Sequence, residues 1–428
     1  MTLFLGTFLD TPENPFAGGD LRVLSDGAVL VRDGAIVERG AADVLRSSYP
    51  GDDVVDLTGG LVLPGFVDTH VHFPQVRMIG ALGLTLLDWL DHHAQPEEAR
   101  LADATYADAV AGEFLSGLTG AGTTTALVFG AHFAPAVDVL FARAAEVGLR
   151  MTSGLVVSDR MLRPDLLTDP QTAYDDGLTL AKRWHGVGRN RYAVIPRFSL
   201  SCSDDLLASS AALLDVVEGA WFTSHLNENL TEVATVSDLF DDLDHYLHSY
   251  DQHGLVGRRS VFAHNVHATP DELELLAHHG AGVAHCPTSN SSLGSGLFPL
   301  REHVEHGVRV ALGSDVGAGT GFSLLKEGLQ AYFVQQLLGS RGVPLDAAKL
   351  LHLATSAGAD LLGLSDVVGD FSVGKQLDAV WLRPVAGTPL DVGLRHAETP
   401  AEALAKAFAM GSTADVAGVF IGGAPVGG

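Results

Sequence analysis

The stretch PGFVDTHVHFPQ, Pro64 to Gln75, decides how the chain is read. Leu61, Val62 and Leu63 lead into it, and with Phe66 and Val67 they read as a buried strand. Side chains on a strand alternate faces with a period of two. His70 and His72 therefore share one face, a layer apart, and Asp68 lies on it one layer deeper. Two readings stand at this point. The histidines are a pair satisfied by their neighbours at a strand end, or they are two ligands of one metal, an arrangement that suits a borderline ion such as zinc.

Seven further apolar runs resemble this one. Starting from LVLPGFVDTHVH, they are TTTALVFGA, RMTSGLVVSD, YAVIPRFSLS, AWFTSHLNEN, SVFAHNVH, AGVAHCPTSN and VRVALGSDVG. Longer helical patterns separate them, for example PDELELLAHHG, with Pro270 near its start and Gly280 at its end. Alternating strand and helix patterns mark a parallel sheet. Eight such units over roughly 300 residues predict a closed (β/α)8, TIM-like barrel, whose chemistry sits where the strands end.

The flanks read differently. The first sixty or so residues are short apolar runs broken by turn signals, with Asp33-Gly34 marking a hairpin. After about residue 365 the pattern turns β again, in GDFSVGKQLDAVWLRP and DVAGVFIGGAPVGG. The expected organisation is a small β-sandwich domain built from both termini, 1–64 and 366–428, beside a catalytic barrel over 65–365. The GAGTG of Gly317 to Gly321 lacks the full dinucleotide spacing and its helix context.

Composition narrows the function. The chain of 428 residues has a formal net charge of −26, which argues against nucleic acid and against anionic lipid as partners. It is 46% hydrophobic and can bury a large core. Cys202 and Cys286 are its two cysteines, far apart, with no C-x-x-C for a zinc ribbon. No signal peptide and no membrane-length apolar run is visible, so a soluble protein of a reducing, cytoplasmic compartment is expected. The sequons at Asn229 and Asn290 then read as chance matches or local caps.

The polar strand ends converge in a barrel. The first run offers His70 and His72, the fifth His225 and Glu228, the sixth His264, and the eighth Asp315. Three histidines, a carboxylate and a water position make a catalytic site for a divalent metal. Glu228 suits a proton shuttle and His264 suits holding water or substrate. Asp68 either orients a ligand or satisfies backbone donors. With 19 histidines in the chain, chance matters. His92 and His93, His245 and His248, and His278 and His279 read as solvated; His267 reads as a loop residue near the site, and a site role stays open for His285. The residues alone give a metal-dependent hydrolase and leave its substrate open.

PGFVDTHVH, followed by the strand-end histidines and GSD, resembles the amidohydrolase superfamily over essentially the whole chain. HVHFPQ, LLDWL, GTTTALVFG, IPRFSLSCS, SHLNEN, VFAHNVH, AHCPTSN and GSDVGAGTGFSLL are similar, within it, to the guanine deaminases. The resemblance implies hydrolysis of guanine to xanthine and ammonia, with one zinc per subunit, or iron(II), held by His70, His72, His225 and Asp315. It implies that Glu228 shuttles a proton to the ring nitrogen, that His264 holds the water, and that Asp315 passes its proton to the leaving amine. It places Gln75 on the purine's amide edge and Arg197 and Phe198 on its oxo group and ring, with His225 and His264 also facing substrate. A homodimer is implied as well. Three departures stand out: DHHAQPEE after LLDWL lacks the usual aromatics, Asn227 replaces the usual serine, and Ala318 and Gly321 alter the last loop. The first bears on substrate range. Related expectations are a deaminase for 8-oxoguanine, a pterin, cytosine or a triazine, and a catalytically silent scaffold homologue. Strand four carries no lysine, which favours one metal over two.

Overall fold

A computed structural model of the protein describes residues 1–240 and 243–426. Four strands come first: β1 (Thr2–Asp10), β2 (Arg22–Arg32), β3 (Ala35–Ala41) and β4 (Asp53–Pro64). The Asp33-Gly34 pair joins β2 to β3, and both residues have positive φ, 50° and 81°, as a tight primed turn requires. The chain then enters the barrel through β5 (Phe66–His72), β6 (Thr123–Phe129), β7 (Arg150–Gly154), β8 (Val156–Val157), β9 (Arg191–Pro196), β10 (Trp221–Leu226), β11 (Ser260–His264), β12 (Gly282–His285) and β13 (Arg309–Leu312). It finishes with β14 (Ala379–Leu382), β15 (Val416–Ile421) and β16 (Ala424–Pro425).

The eight apolar runs are the barrel strands, and they pair parallel in chain order from β5 to β13. The third run breaks in two, because β7 leaves β9 and the short β8 resumes the pairing at Val156. These strands are buried almost throughout, as expected where helices cover a parallel sheet. The helix read from PDELELLAHHG spans Pro270–His279. Thr269 caps it in a reciprocal box with Glu272, and Gly280 ends it at φ 64°.

Among the described residues, no ladder joins the first barrel strand to the last. Side chains and single backbone bonds close the ring there instead. Asp315 N donates to His70 O at 2.8 Å, and Thr69 Oγ1 donates to Leu312 O at 2.8 Å. Asp68 is the clasp: its carboxylate accepts from Ser314 N at 3.0 Å, Ser314 Oγ at 2.5 Å and His70 N at 3.2 Å. It therefore satisfies backbone donors and binds the two strands rather than orienting an imidazole. Gly313 lets them approach, since a Cβ there would lie 2.9 Å from His70 Cβ.

Both termini build one seven-stranded mixed sheet, in the order β16-β15-β14-β4-β1-β2-β3. The late β region also holds two helices, Pro389–Arg395 and Pro400–Met410, and the second buries Ala403, Leu404, Ala407 and Phe408. Sheet and barrel meet at Gly65 and at a buried ion pair, Arg150 Nε to Asp378 Oδ2 at 2.8 Å. Among the described residues, no helix is long and apolar enough to cross a membrane. Both cysteines are free and buried.

Candidate active site

Four strand ends deliver the central cluster. His70 and His72 come from β5, His225 from β10, His264 from β11, and Asp315 follows β13. His70 Nε2 and His72 Nε2 lie 3.1 Å and 3.2 Å from Asp315 Oδ1. His225 Nε2 lies 3.3 Å from His72 Nε2. One ligating atom from each of His70, His225, His264 and Asp315 falls within 4.8 Å of the others. All five side chains are buried.

Neighbours fix how the rings are presented. His225 Nδ1 donates to Arg197 O at 2.6 Å, and His264 Nδ1 to Asn290 Oδ1 at 2.9 Å. Each ring therefore turns the lone pair of Nε2 inward. Both nitrogens of His70 are buried, and despite the nearness of Asp315 neither makes a well-aligned hydrogen bond among the described residues. Burial holds the pKa of His70 down to about 4 and that of His225 well below the ordinary value. Burial pushes the Asp315 carboxyl up, but His70 and His72 outweigh it and keep the group well below the carboxylate range. Neutral imidazoles around an ionised carboxylate form the donor set of a divalent cation, with no thiolate in it. His72 touches both Asp315 and His225, so the four ligands implied by resemblance lie together, with His264 beside them.

The strand ends reach this point through strained backbone. Asn227, His264, Asn265 and Asp315 all have positive φ, between 48° and 71°. Non-glycine residues adopt that region rarely, and it clusters at functional sites.

Glu228 lies at the rim of the cluster, its Oε2 3.5 Å from His264 Nε2. Ser295 Oγ donates to its other oxygen at 3.3 Å. Burial, reinforced by the Asp315 charge, raises its pKa well above the ordinary value, so it holds a proton readily. Beyond it opens a narrow cleft, lined among others by Gln75, Trp89, Arg197, Phe198 and Ala318. The Phe198 ring stands edge-on to His225 at 6.0 Å.

The amidohydrolase family profile matches residues 61–426. The chain belongs to the amidohydrolase family. A curated relative in Deinococcus radiodurans, named probable guanine deaminase, is 57% identical over the whole of this chain and 98% of its own length. The guanine deaminase of Escherichia coli K12 is 41% identical over 90% of this chain and 88% of its own. Among solved structures, E. coli guanine deaminase superposes with a TM-score of 0.96 at 37% identity, covering 100% of this chain and 99% of that one. Guanine deaminase from C. acetobutylicum, solved with guanine bound in its active site, gives 0.92 at 26% identity, with 100% of each chain covered.

In this amidohydrolase the residues set aside as bystanders stay outside the cluster. His92 and His278 are exposed, and His93, His245, His248 and His279 are half-buried. His285 is buried against the Phe298 ring at 4.2 Å. His267 is a loop residue whose Nε2 bonds Ser295 O at 2.7 Å, and Ser295 is in turn bonded to Glu228. The sequons find local uses: Asn229 caps the helix Leu230–Leu239, and Asn290 holds His264. Asn227 points away from the cleft and donates to Asn265 Oδ1 and Glu272 Oε1.

Sequence reasoning missed Glu98. The DHHAQPEE segment forms a π-helical turn, Leu90–Ala94, then the helix Gln95–Ala99, which carries Glu98 inward. Its Oε1 accepts from Gln75 Nε2 at 2.7 Å and its Oε2 from Arg197 Nη1 at 2.5 Å. Arg197 Nη1 also donates to His132 Nε2 at 3.3 Å. The departure at the lip of the cleft thus also supplies a buried charge. The missed signal was the need of a buried Arg197 for a partner.

Proposed function

We propose that this amidohydrolase deaminates guanine by hydrolysis, giving xanthine and ammonia. The observation that carries the reading is the sharing of one cleft by the His/Asp cluster and the Gln75–Arg197 edge. The named relatives and the guanine-bound neighbour support it.

His70, His72, His225 and Asp315 are the residues that would hold one zinc, or iron(II) in its place. A divalent cation held there supplies the charge that acidifies a water to a pKa of about 7. The chain's own groups do the rest. Glu228 carries the water's first proton to the ring nitrogen beside the attacked carbon. His264, its tautomer fixed by Asn290, accepts a hydrogen bond from the water at Nε2 and orients it. Asp315 takes the remaining proton and passes it to the departing amine. Arg197 donates to the oxo group, and a guanidinium cannot accept, which favours guanine over adenine. Phe198 and Trp89 bound the flat ring.

The test is an ultraviolet assay of the zinc-loaded protein with guanine, following xanthine and stoichiometric ammonia. Glu228→Gln is expected to lose at least about 100-fold in kcat with metal content unchanged. Guanine left intact by metal-loaded protein would overturn the substrate and turn attention to pterins, 8-oxoguanine, cytosine and triazines.

A further inference from the structure

The Gln75–Glu98–Arg197 group contains more information than a list of contacts. An ionised carboxylate accepts hydrogen bonds and donates none. Arg197 holds Glu98 in that form: burial pushes its carboxyl up, but the guanidinium keeps it well below the carboxylate range. The amide end of Gln75 that meets Glu98 must therefore be its NH2. The carbonyl end, Oε1, is what remains, and it is buried and, among the described residues, without a partner, in a residue that lines the cleft. Arg197 is constrained likewise. Nη1 is committed to Glu98 and His132, while Nε and Nη2 make no hydrogen bond among the described residues.

We infer that Glu98 is a positioning residue that sets the polarity of the recognition edge. By occupying the amide donor of Gln75 and one nitrogen of Arg197, it leaves one acceptor, Gln75 Oε1, beside guanidinium donors. That pattern complements a ring N–H next to a ring C=O, the lactam edge. Guanine presents it as N1–H and C6=O. An aminopurine with a bare ring nitrogen presents the opposite polarity and leaves both protein groups unpaired, which is the strong way to reject a substrate. The ligand class is a flat heterocyclic lactam. The inference rests on guanine as the substrate and deepens that reading, since it assigns the discrimination to a residue that need not touch the base.

Calorimetric titration with two purines, carried out in the zinc-loaded Glu228→Gln background so that the 2-amino group is not turned over, tests the edge at equilibrium. Hypoxanthine carries the lactam edge and no 2-amino group; 2-aminopurine has the amino group and lacks the lactam. Hypoxanthine is expected to bind at least about 10-fold tighter. Equal affinity, or a preference for 2-aminopurine, overturns the inference. Glu98→Gln, nearly isosteric, can accept or donate and so frees the amide of Gln75 to turn over. It is expected to bring the two purines within about 3-fold and to raise the KM for guanine about 10- to 100-fold, with kcat and metal content little changed. A variant that is less stable yet keeps the wild-type preference assigns Glu98 a structural role only and sinks the idea. Should Glu98→Gln not fold, Glu98→Asp keeps the charge one methylene short. A KM rise of about 3- to 10-fold is expected of it, and an unchanged KM counts against us. The two readings fail separately. A protein that prefers hypoxanthine yet leaves guanine intact keeps the edge and loses the deaminase; one that deaminates guanine while Glu98→Gln keeps its preference does the reverse.

Discussion

Glu98 also leaves a signature in acid. Its folded pKa is depressed, so its stabilising effect is complete above the unfolded value of about 4.5 and is lost as pH falls towards the folded value. In that window the unfolded chain takes up a proton that the native carboxylate refuses. Unfolding by urea is expected to become easier by about 1.4 kcal/mol per pH unit below pH 4.5 from this residue alone. Glu98→Gln lacks this slope, so the stability difference between the two proteins should shrink on acidification. A difference that stays constant from pH 6 to pH 3 would show that Glu98 does not carry the charge assigned to it. At this scale the sequence exposed the cluster well, because His70, His225, His264 and Asp315 each directly follow or end an apolar run. Glu98 was hidden for a physical reason. In a run of charged residues at a helix start it looks solvated, and only the fold brings it to Arg197, 99 positions away.

Elements were legible where burial is symmetrical. The parallel strands are apolar on both faces and stand out as runs, and the helix ending at Gly280 announced itself by its proline and its glycine. The break between β7 and β8 carried no such signal, since Leu155, Val156 and Val157 are all apolar and all buried. The left-handed strand ends were equally silent, for positive φ at Asn227 follows from where the chain must turn next. Asn227 makes a prediction here. It tolerates that backbone because it is Asn, and its amide fills two buried acceptors. Asn227→Ala removes both donations and keeps the strained turn. It is expected to cost about 2–4 kcal/mol in urea unfolding, with activity per folded molecule reduced because this turn links His225, on β10, to Glu228 just beyond it. A variant within about 0.5 kcal/mol of wild type would mean that the turn does not depend on this side chain.

The molecule as a whole is joined by Asp378. Its side chain receives Arg150 from the barrel and Gly422 N from the terminal sheet, and its carbonyl receives Gly65 N. Arg150→Met leaves a buried carboxylate with its cation gone, at a cost of about 3–5 kcal/mol. The expected readout is a lower urea midpoint with the KM for guanine unchanged, since none of these residues lines the cleft. A shifted KM at full stability would contradict that separation. The sequence did suggest that both ends of the chain share a sheet, but nothing in it revealed the joint, whose partners come from distant segments. The order of that sheet also has a consequence for the ribosome. One side of β4 pairs with β1, an early neighbour, while its other side waits for β14, beyond the entire barrel. At about 5–20 residues per second, the row of unpaired amides on β4 stays open for tens of seconds of synthesis. A nascent chain of this protein therefore exposes a templating edge for most of its birth, and that interval is when a chaperone has the most to shield.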